Sequence, residues 1–473
     1  MEYYLAVDIG ASGGRHILGS VEDGRLRLRE VYRFENRIEN LGGSLVWDID
    51  RLVSEVVRGM KRCAELGFEP KSVAVDTWGV DYVLLGADGE AITPVYCYRD
   101  GRTASAVPAV EAIVSPEELY ARTGIQKQPF NTIYQLYADK LAGRLDRAER
   151  MLMLPSYITC RLTGVMKNEY TDATTTGLVN ASSGAWDGEI IRRLGLPERL
   201  FGDLAEPCES AGRLLPEVAE QVGFDCEVVF APSHDTASAV AACPLCKGGM
   251  YISSGTWSLI GTETPSPVLS EAARAANFTN EGGVERRFRL LKNYMGMWLM
   301  QGIRRDVGGS MTYDEMMEAA RARVDFARID VTDPRLLAPE SMLEAVRSIA
   351  GEPQMPLDRA LNTVYHSLAA SYAEAVAELE GITGRKATAI RVVGGGSRDA
   401  YLNELTEKYT DLPVKAGPVE ATSAGNLLSQ IMCDKKLTLA QARELINESG
   451  ESLCAIPKRK RNTRRSASIP KRR

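Results

Sequence analysis

A chain of 473 residues, 44% apolar and 25% charged, exceeds one ordinary hydrophobic core and is expected to form two domains of roughly 200–250 residues. The net charge of −6 is unevenly laid out. The last seventeen residues hold nine Lys/Arg and no acid, so the rest of the chain carries −15. With so little to bury, the basic stretch at 456–473 is expected to be a solvated, disordered tail rather than a nucleic-acid or membrane tract. No apolar run reaches the roughly 18–20 residues that span a bilayer. The opening YYLAVDIG reads as a strand rather than a signal peptide, so a soluble cytoplasmic protein is the expectation. Nine scattered cysteines fit reduced thiols, and the pair Cys243/Cys246 lacks the second pair or nearby histidines of a zinc site.

In chain order, YYLAVDIG and RHILGSVEDGRLRLREVYRF predict successive strands with a tight turn at Glu22-Asp23-Gly24. Leu52, Val56, Val57, Met60 and Ala64 recur at helical spacing, and Gly67 ends that helix. A buried strand is expected over 71–85, interrupted at Asp76-Thr77-Trp78-Gly79-Val80-Asp81. Acids and Gly inside a strand mark either a structural bulge around a core Trp or the close approach of a ligand. From 104 to 225 the pattern is mostly helical and irregular, as in an insertion that shapes a pocket. A strand at 226–235 and a small-residue helix follow, and a boundary is expected near 243–249. The second half closes with a helix at 357–380, a strand at 390–396 and a helix capped by Ser397 or Asp399.

The chemistry collects at turns. VDIGASGGR at 7–15 and SSGTWSLIG at 253–261 each run a strand into a Gly/Ser/Thr turn, where backbone N–H groups can approach an anion. Their similarity suggests two related halves around one phosphate chain. Asp8 is either a turn cap or a carboxylate that meets Mg²⁺ through water, with Ala11, Ser12, Gly13, Gly14 and Arg15 as the phosphate nest behind it. No Gly-Lys-Ser/Thr follows at Walker spacing. His234-Asp235-Thr236 ends a strand and opens a helix, so Asp235 is either an N-cap or the base that takes a proton from an attacking hydroxyl. Trp257 and Trp298 are read as core or pocket walls. VVGGGS at 392–397 and GPVEATSAGN at 417–426 add further Gly-rich turns.

Taken in order, VDIGASGGR, DTWGVDYVLL, YRDGRT, GIQKQPFNTIYQL, NEYTDATTTGLVN, SHDTASAV, SSGTWSLIG, KNYMGMWLMQ and VVGGGS resemble the FGGY carbohydrate kinases over nearly the whole chain. Within that family the resemblance is to the branch acting on L-rhamnulose. It implies an α/β protein of two ribonuclease-H-like (actin-like ATPase) domains with an interdomain cleft: 1–245 for sugar and base, 246–455 for nucleotide. By motif position it implies Asp235 as proton acceptor, and Gly79, His234, Asp235, Thr236 and Asn293 on the sugar. ATP would lie on Ala11 to Arg15, Thr256, Gln301 and Gly395 or Gly396, with Asp8 toward Mg²⁺ and Asp100 and Arg102 supporting the cleft. The implied partners are a small sugar and ATP, in a monomer or small homo-oligomer without nucleic acid or membrane. Another ketose such as L-fuculose, or a non-catalytic sugar- or ATP-binding protein of the same fold, remain the alternatives. Tyr98 replaces the Trp common in the wider superfamily's W-x-D-x-R pattern.

Overall fold

Alternating apolar residues start the chain as a three-stranded antiparallel meander: β1 (Tyr4–Gly10), β2 (Gly13–Glu22) and β3 (Arg25–Glu35). The β2–β3 turn is Asp23-Gly24, both at positive φ (49° and 73°), the backbone twist that a two-residue hairpin requires. The structure is a computed structural model, and it describes residues 1–446 apart from Pro244 and Cys246. The expectations for Cys246 and for the 456–473 tail therefore lie outside the described residues. The helix Ile49–Glu65 follows, buries Leu52, Val56, Val57 and Met60, and stops before Gly67 at φ 80°. Its chain then returns as the strand Ser72–Thr77, parallel to β1.

The first sheet thus runs β3-β2-β1, then Ser72–Thr77, then Glu227–Val229, with Ser210–Arg213 at its far edge. The second sheet repeats it. Phe288–Met295, Trp257–Thr264 and Gly249–Ser254 form an antiparallel meander, and Ala389–Val393 and Val414–Ala416 extend it in parallel. Strand order and directions coincide in the two sheets, so the expected pair of related α/β halves is present. The second sheet adds one edge strand, Thr279–Gly282.

In each half the fifth strand leads into a helix, Asp235–Ala241 in the first and Ala421–Lys435 in the second. The two helices pack on each other between the sheets, in a core shared with Tyr4, Ala6, Ile17, Tyr251 and Val393. Gly425 permits this approach, because a Cβ there would stand 1.7 Å from the Ser238 carbonyl oxygen. That continuous apolar seam joins the two halves at their centre, and its burial favours their association.

The expected single strand over 71–85 is two. Ser72–Thr77 stays in the first sheet, while Tyr82–Leu85 pairs with Arg150–Met153 elsewhere. The break is at Val80, a β-branched residue at φ 69°, held there by the Thr175 hydroxyl on its N–H (3.1 Å) and by Thr132 (2.7 Å) and Gln135 (3.2 Å) on its carbonyl. Such backbone strain persists only where its surroundings over-determine it. The strand expected at 390–396 ends at Val393, and the glycines beyond it belong to a turn of 3-10 helix, Gly395–Arg398. Asp399, not Ser397, caps the next helix, accepting from the Leu402 amide at 3.0 Å. Among the described residues no helix is long and apolar enough to cross a membrane.

Candidate functional site

Three carboxylates meet at the carboxyl ends of neighbouring parallel strands in the first sheet. Asp8 on β1 is in register with Asp76 on the next strand, and the residue after Asp76, Thr77, bridges in parallel to His234, next to Asp235. The Thr77 amide donates to the Ser233 carbonyl at 2.9 Å, which prolongs the strand order by one row. The ends of parallel strands are where open α/β sheets gather ligand-binding groups.

Asp8 caps no turn. Its Oδ2 accepts from Arg15 Nε (3.1 Å) and Nη2 (3.0 Å) and from the Ser423 hydroxyl (2.9 Å). Arg15 also pairs with Glu420, so the first hairpin is bound to the start of the helix Ala421–Lys435. Only Ala11 and Ser12 form the hairpin turn, since Gly10 and Gly13 are already paired. Gly14 has a steric reason: a Cβ there would lie 2.2 Å from the Phe34 ring.

Asp76 is fully buried; Oδ2 accepts from Asn426 Nδ2 at 2.6 Å while Oδ1 has no partner. Burial first, and the charge of Asp8 second, push its carboxyl well above the usual range, and Asn426 opposes them. Asp235 is the first residue of its helix rather than its cap, with His234 in the cap position and no side-chain cap bond. Its Oδ1 accepts the Thr236 hydroxyl at 3.0 Å and faces His234 Nε2 at 3.5 Å. Both contacts are to Oδ1. The carboxyl is raised by burial and by Asp8, with His234 opposing. About a third of its side-chain surface (36%) stays open, so a substrate can reach it.

Gly79 lies in the strained turn, two residues beyond Thr77. A Cβ there would meet Thr175 at 3.1 Å and Asp172 Oδ1 at 3.2 Å. Asp172 is a residue the sequence reading missed: it is fully buried, its Oδ2 has no partner, and burial together with Glu169 and Asp235 drives its carboxyl well up. The available signal was an acid within the Thr-rich segment 171–176. Ser423, Asn426 and Gln430 were missed for a different reason. They point from one face of a second-half helix into the first sheet, and a helical spacing alone does not say which sheet it covers. Asp81, fully buried, takes the indole N–H groups of Trp47 (2.7 Å) and Trp78 (2.9 Å), and burial lifts it to about 6. Asp100 accepts the Leu45 amide at 2.8 Å, and Arg102 pairs with buried Asp139 at 2.9 Å. Arg102 braces the insertion, Asp100 ties the chain before it to the Leu45 strand, and neither contacts the three carboxylates.

Of the residues expected on the nucleotide, Thr256 and Gly396 meet around the end of Gly249–Ser254. The Thr256 carbonyl accepts the amides of Gly296 and Trp298 (both 3.1 Å), which binds its loop to the start of Trp298–Asp306, the helix that carries Gln301. Gly396 packs so closely on Ser254 that a Cβ would fall 2.0 Å from its hydroxyl oxygen, whereas a Cβ on Gly395 would meet nothing within 4 Å. The Gly394 amide donates to the Pro418 carbonyl at 3.1 Å, two residues before Glu420. A chain of contacts therefore runs from Gly396 to Arg15 and Asp8. Asn293 shares a strand face with Arg289, ~13 Å further along, and its Oδ1 is buried without a partner.

Among the described residues no three His, Cys, Asp or Glu side chains form a metal cage. Mg²⁺ does not need one, since it keeps several waters and binds through one or two carboxylates plus substrate phosphates. An all-oxygen set beside a partnerless buried carboxylate oxygen fits that demand.

Residues 3–242 match the N-terminal domain of the FGGY family of carbohydrate kinases and residues 250–433 its C-terminal domain. A rhamnulokinase of Halalkalibacterium halodurans is 44% identical over 457 residues, covering 95% of this chain and 97% of the relative. That of Bacillus subtilis is 37% identical over 454 residues, covering 94% and 93%. Two solved structures share the fold: a ligand-bound xylulose kinase from Lactobacillus acidophilus (TM-score 0.78, 16% identity, 94% and 92% covered) and Plasmodium falciparum glycerol kinase with ADP (TM-score 0.76, 12% identity, 94% and 92% covered). With both domains matched in order across almost its whole length, the chain belongs to the FGGY family of carbohydrate kinases.

Proposed function

We propose that this chain transfers the γ-phosphate of ATP to the 1-hydroxyl of L-rhamnulose, giving L-rhamnulose 1-phosphate and ADP. Full-length identity of 37–44% to proteins named rhamnulokinase carries the choice of sugar. The sugar lies on Gly79, His234, Asp235, Thr236 and Asn293. ATP lies on Ala11 to Arg15, Thr256, Gln301, Gly395 and Gly396, and the division of labour falls near 245/246.

Asp235 Oδ2 takes the proton from the 1-hydroxyl as that oxygen bonds to the γ-phosphorus and the bond to the β-phosphate oxygen breaks. The Thr236 hydroxyl on Oδ1 keeps the carboxylate turned with Oδ2 outward. Arg15, already drawn toward anions by Asp8 and Glu420, offers its guanidinium to phosphate oxygens. Mg²⁺, held through water by Asp8, would supply charge neutralisation on the β- and γ-phosphates. Hydrogen-bonding groups around Gly79 set the hydroxyl pattern accepted.

The test is a coupled ADP assay with ATP and Mg²⁺ on L-rhamnulose against L-fuculose, L-xylulose and glycerol. A kcat/KM highest for L-rhamnulose is expected. A preference for L-fuculose moves the assignment to that sugar, and no turnover with any acceptor overturns the kinase reading.

A further inference from the structure

A wholly buried guanidinium in the second half reaches His234, the residue beside the base in the first, and phosphoryl transfer makes no use of it. Arg289, 1% exposed, lies on Phe288–Met295 directly across from Glu281 on the edge strand Thr279–Gly282, with an ion pair of 3.1 Å between them. Opposite charges facing across an antiparallel pair support each other, and burial makes each depend on the other. The strand is held in place by the first half: the Gly282 amide donates to the Thr174 hydroxyl at 2.8 Å, and a Cβ on Gly282 would strike Tyr170 at 2.5 Å. The same short helix, Tyr170–Thr174, is capped by Glu169, which also receives the Ser233 amide (3.0 Å) and hydroxyl (2.6 Å). Edge strand and His234 are thus both referenced to one element.

Arg289 Nη2 stands 3.1 Å from His234 Nδ1 in hydrogen-bond geometry. A guanidinium can only donate, so that ring nitrogen is the acceptor and bears no proton. Glu281 Oε2 is 3.3 Å from the same nitrogen but makes no hydrogen bond. The ring proton then resides on Nε2, the nitrogen facing Asp235 Oδ1 at 3.5 Å. We propose that Arg289 and Glu281 are positioning residues from the second half: they fix His234 as the Nε2–H tautomer, which sets that N–H beside Asp235 Oδ1, 3.5 Å away, and leaves Oδ2 to the sugar hydroxyl. The inference rests on Asp235 as the base. It also gives the contact between the halves a chemical consequence, because the base is fully oriented only when the second sheet's edge is docked.

The chain has three histidines, so the ring nitrogens of the full-length protein can be observed directly by ¹⁵N NMR, with the His234 signals identified as those lost in His234→Gln. The expected spectrum, without sugar or nucleotide, shows His234 protonated at Nε2 and bare at Nδ1. This reading is independent of which sugar is phosphorylated, so a failed ketose assay and a failed tautomer assignment are separate results. The paired variant Glu281→Gln/Arg289→Met removes both buried charges together and avoids leaving one unpaired. It is expected to give a mixed tautomer spectrum and a kcat lower by roughly tenfold or more, with both KM values within about threefold. Arg289→Lys, which still donates, is expected to recover part of kcat. A ring protonated at Nδ1 in the parent protein overturns the proposal, as does a paired variant whose His234 spectrum and kcat match the parent.

Discussion

The two sheets share strand order and direction, yet equivalent positions in them carry opposite chemistry. In the first, β1 and its parallel neighbour place Asp8 against Asp76. In the second, Gly249–Ser254 and Ala389–Val393 place Ser253 against Val393 at the corresponding register. One end therefore concentrates negative charge that needs a cation, a proton or an arginine. The other presents small neutral groups and glycine turns that exclude nothing by charge. A repeated scaffold supplies position, and a handful of side chains at the strand ends give its two halves different chemistry.

The sharpest break of that contrast is removal of the acid proposed as the base. Asp235→Asn keeps the size and the Thr236 contact but cannot accept a proton, so kcat is expected to fall by about 10²–10⁴-fold. Sugar KM should stay within a few-fold, and the melting temperature should be unchanged or slightly higher. Steady-state kinetics with a thermal melt checks this, and a near-normal kcat would remove Asp235 from the role of base. Arg15→Ala comes next. It takes away the cation between Asp8 and Glu420, and KM for ATP is expected to rise roughly tenfold, as for loss of a charge-assisted contact, with sugar KM nearly constant. Separate titrations of the two ligands would expose an error if the sugar side moved more.

Two adjacent glycines test the neutral end. Gly396→Ala must push Ser254 aside and is expected to lower stability by about 1–3 kcal/mol. Gly395→Ala meets no protein atom within 4 Å and should melt like the parent. If Gly395 lines the nucleotide, its KM for ATP should nevertheless rise by a few-fold. Equal melting temperatures for the two variants would contradict the packing described here.

The halves were legible in the sequence because the signals are local: alternation for the meanders, Asp23-Gly24 for the hairpin, two Gly/Ser/Thr turns for the repeat. Asp235 was singled out by motif, and only the structure removed the cap alternative, because His234 occupies the cap position. The split at Val80 was not legible, since a β-branched residue is the least expected to adopt φ 69° and three distant side chains hold it there. Asn426 and Arg289 escaped for the same reason: their partners lie 350 and 55 residues away, in contacts that no periodicity encodes.

The smallest expected effect is also the most diagnostic of charge crowding at the first sheet. Asp76 has its carboxyl raised well above 3.8 by burial and by Asp8, so the folded protein holds a proton there that the unfolded chain has already released. In that window the native state binds more protons than the unfolded state, and stability falls as pH rises from about 4 toward the folded value. Asp76→Asn keeps an acceptor for Asn426 and removes the titration. Its stability relative to the parent should therefore improve steadily as pH rises through the window and level off above it, a trend read from denaturant melts of both proteins at matched pH. A difference that stays flat with pH would mean that Asp76 is charged throughout, and that the neighbouring groups neutralise the site more fully than Arg15 and Asn426 alone can.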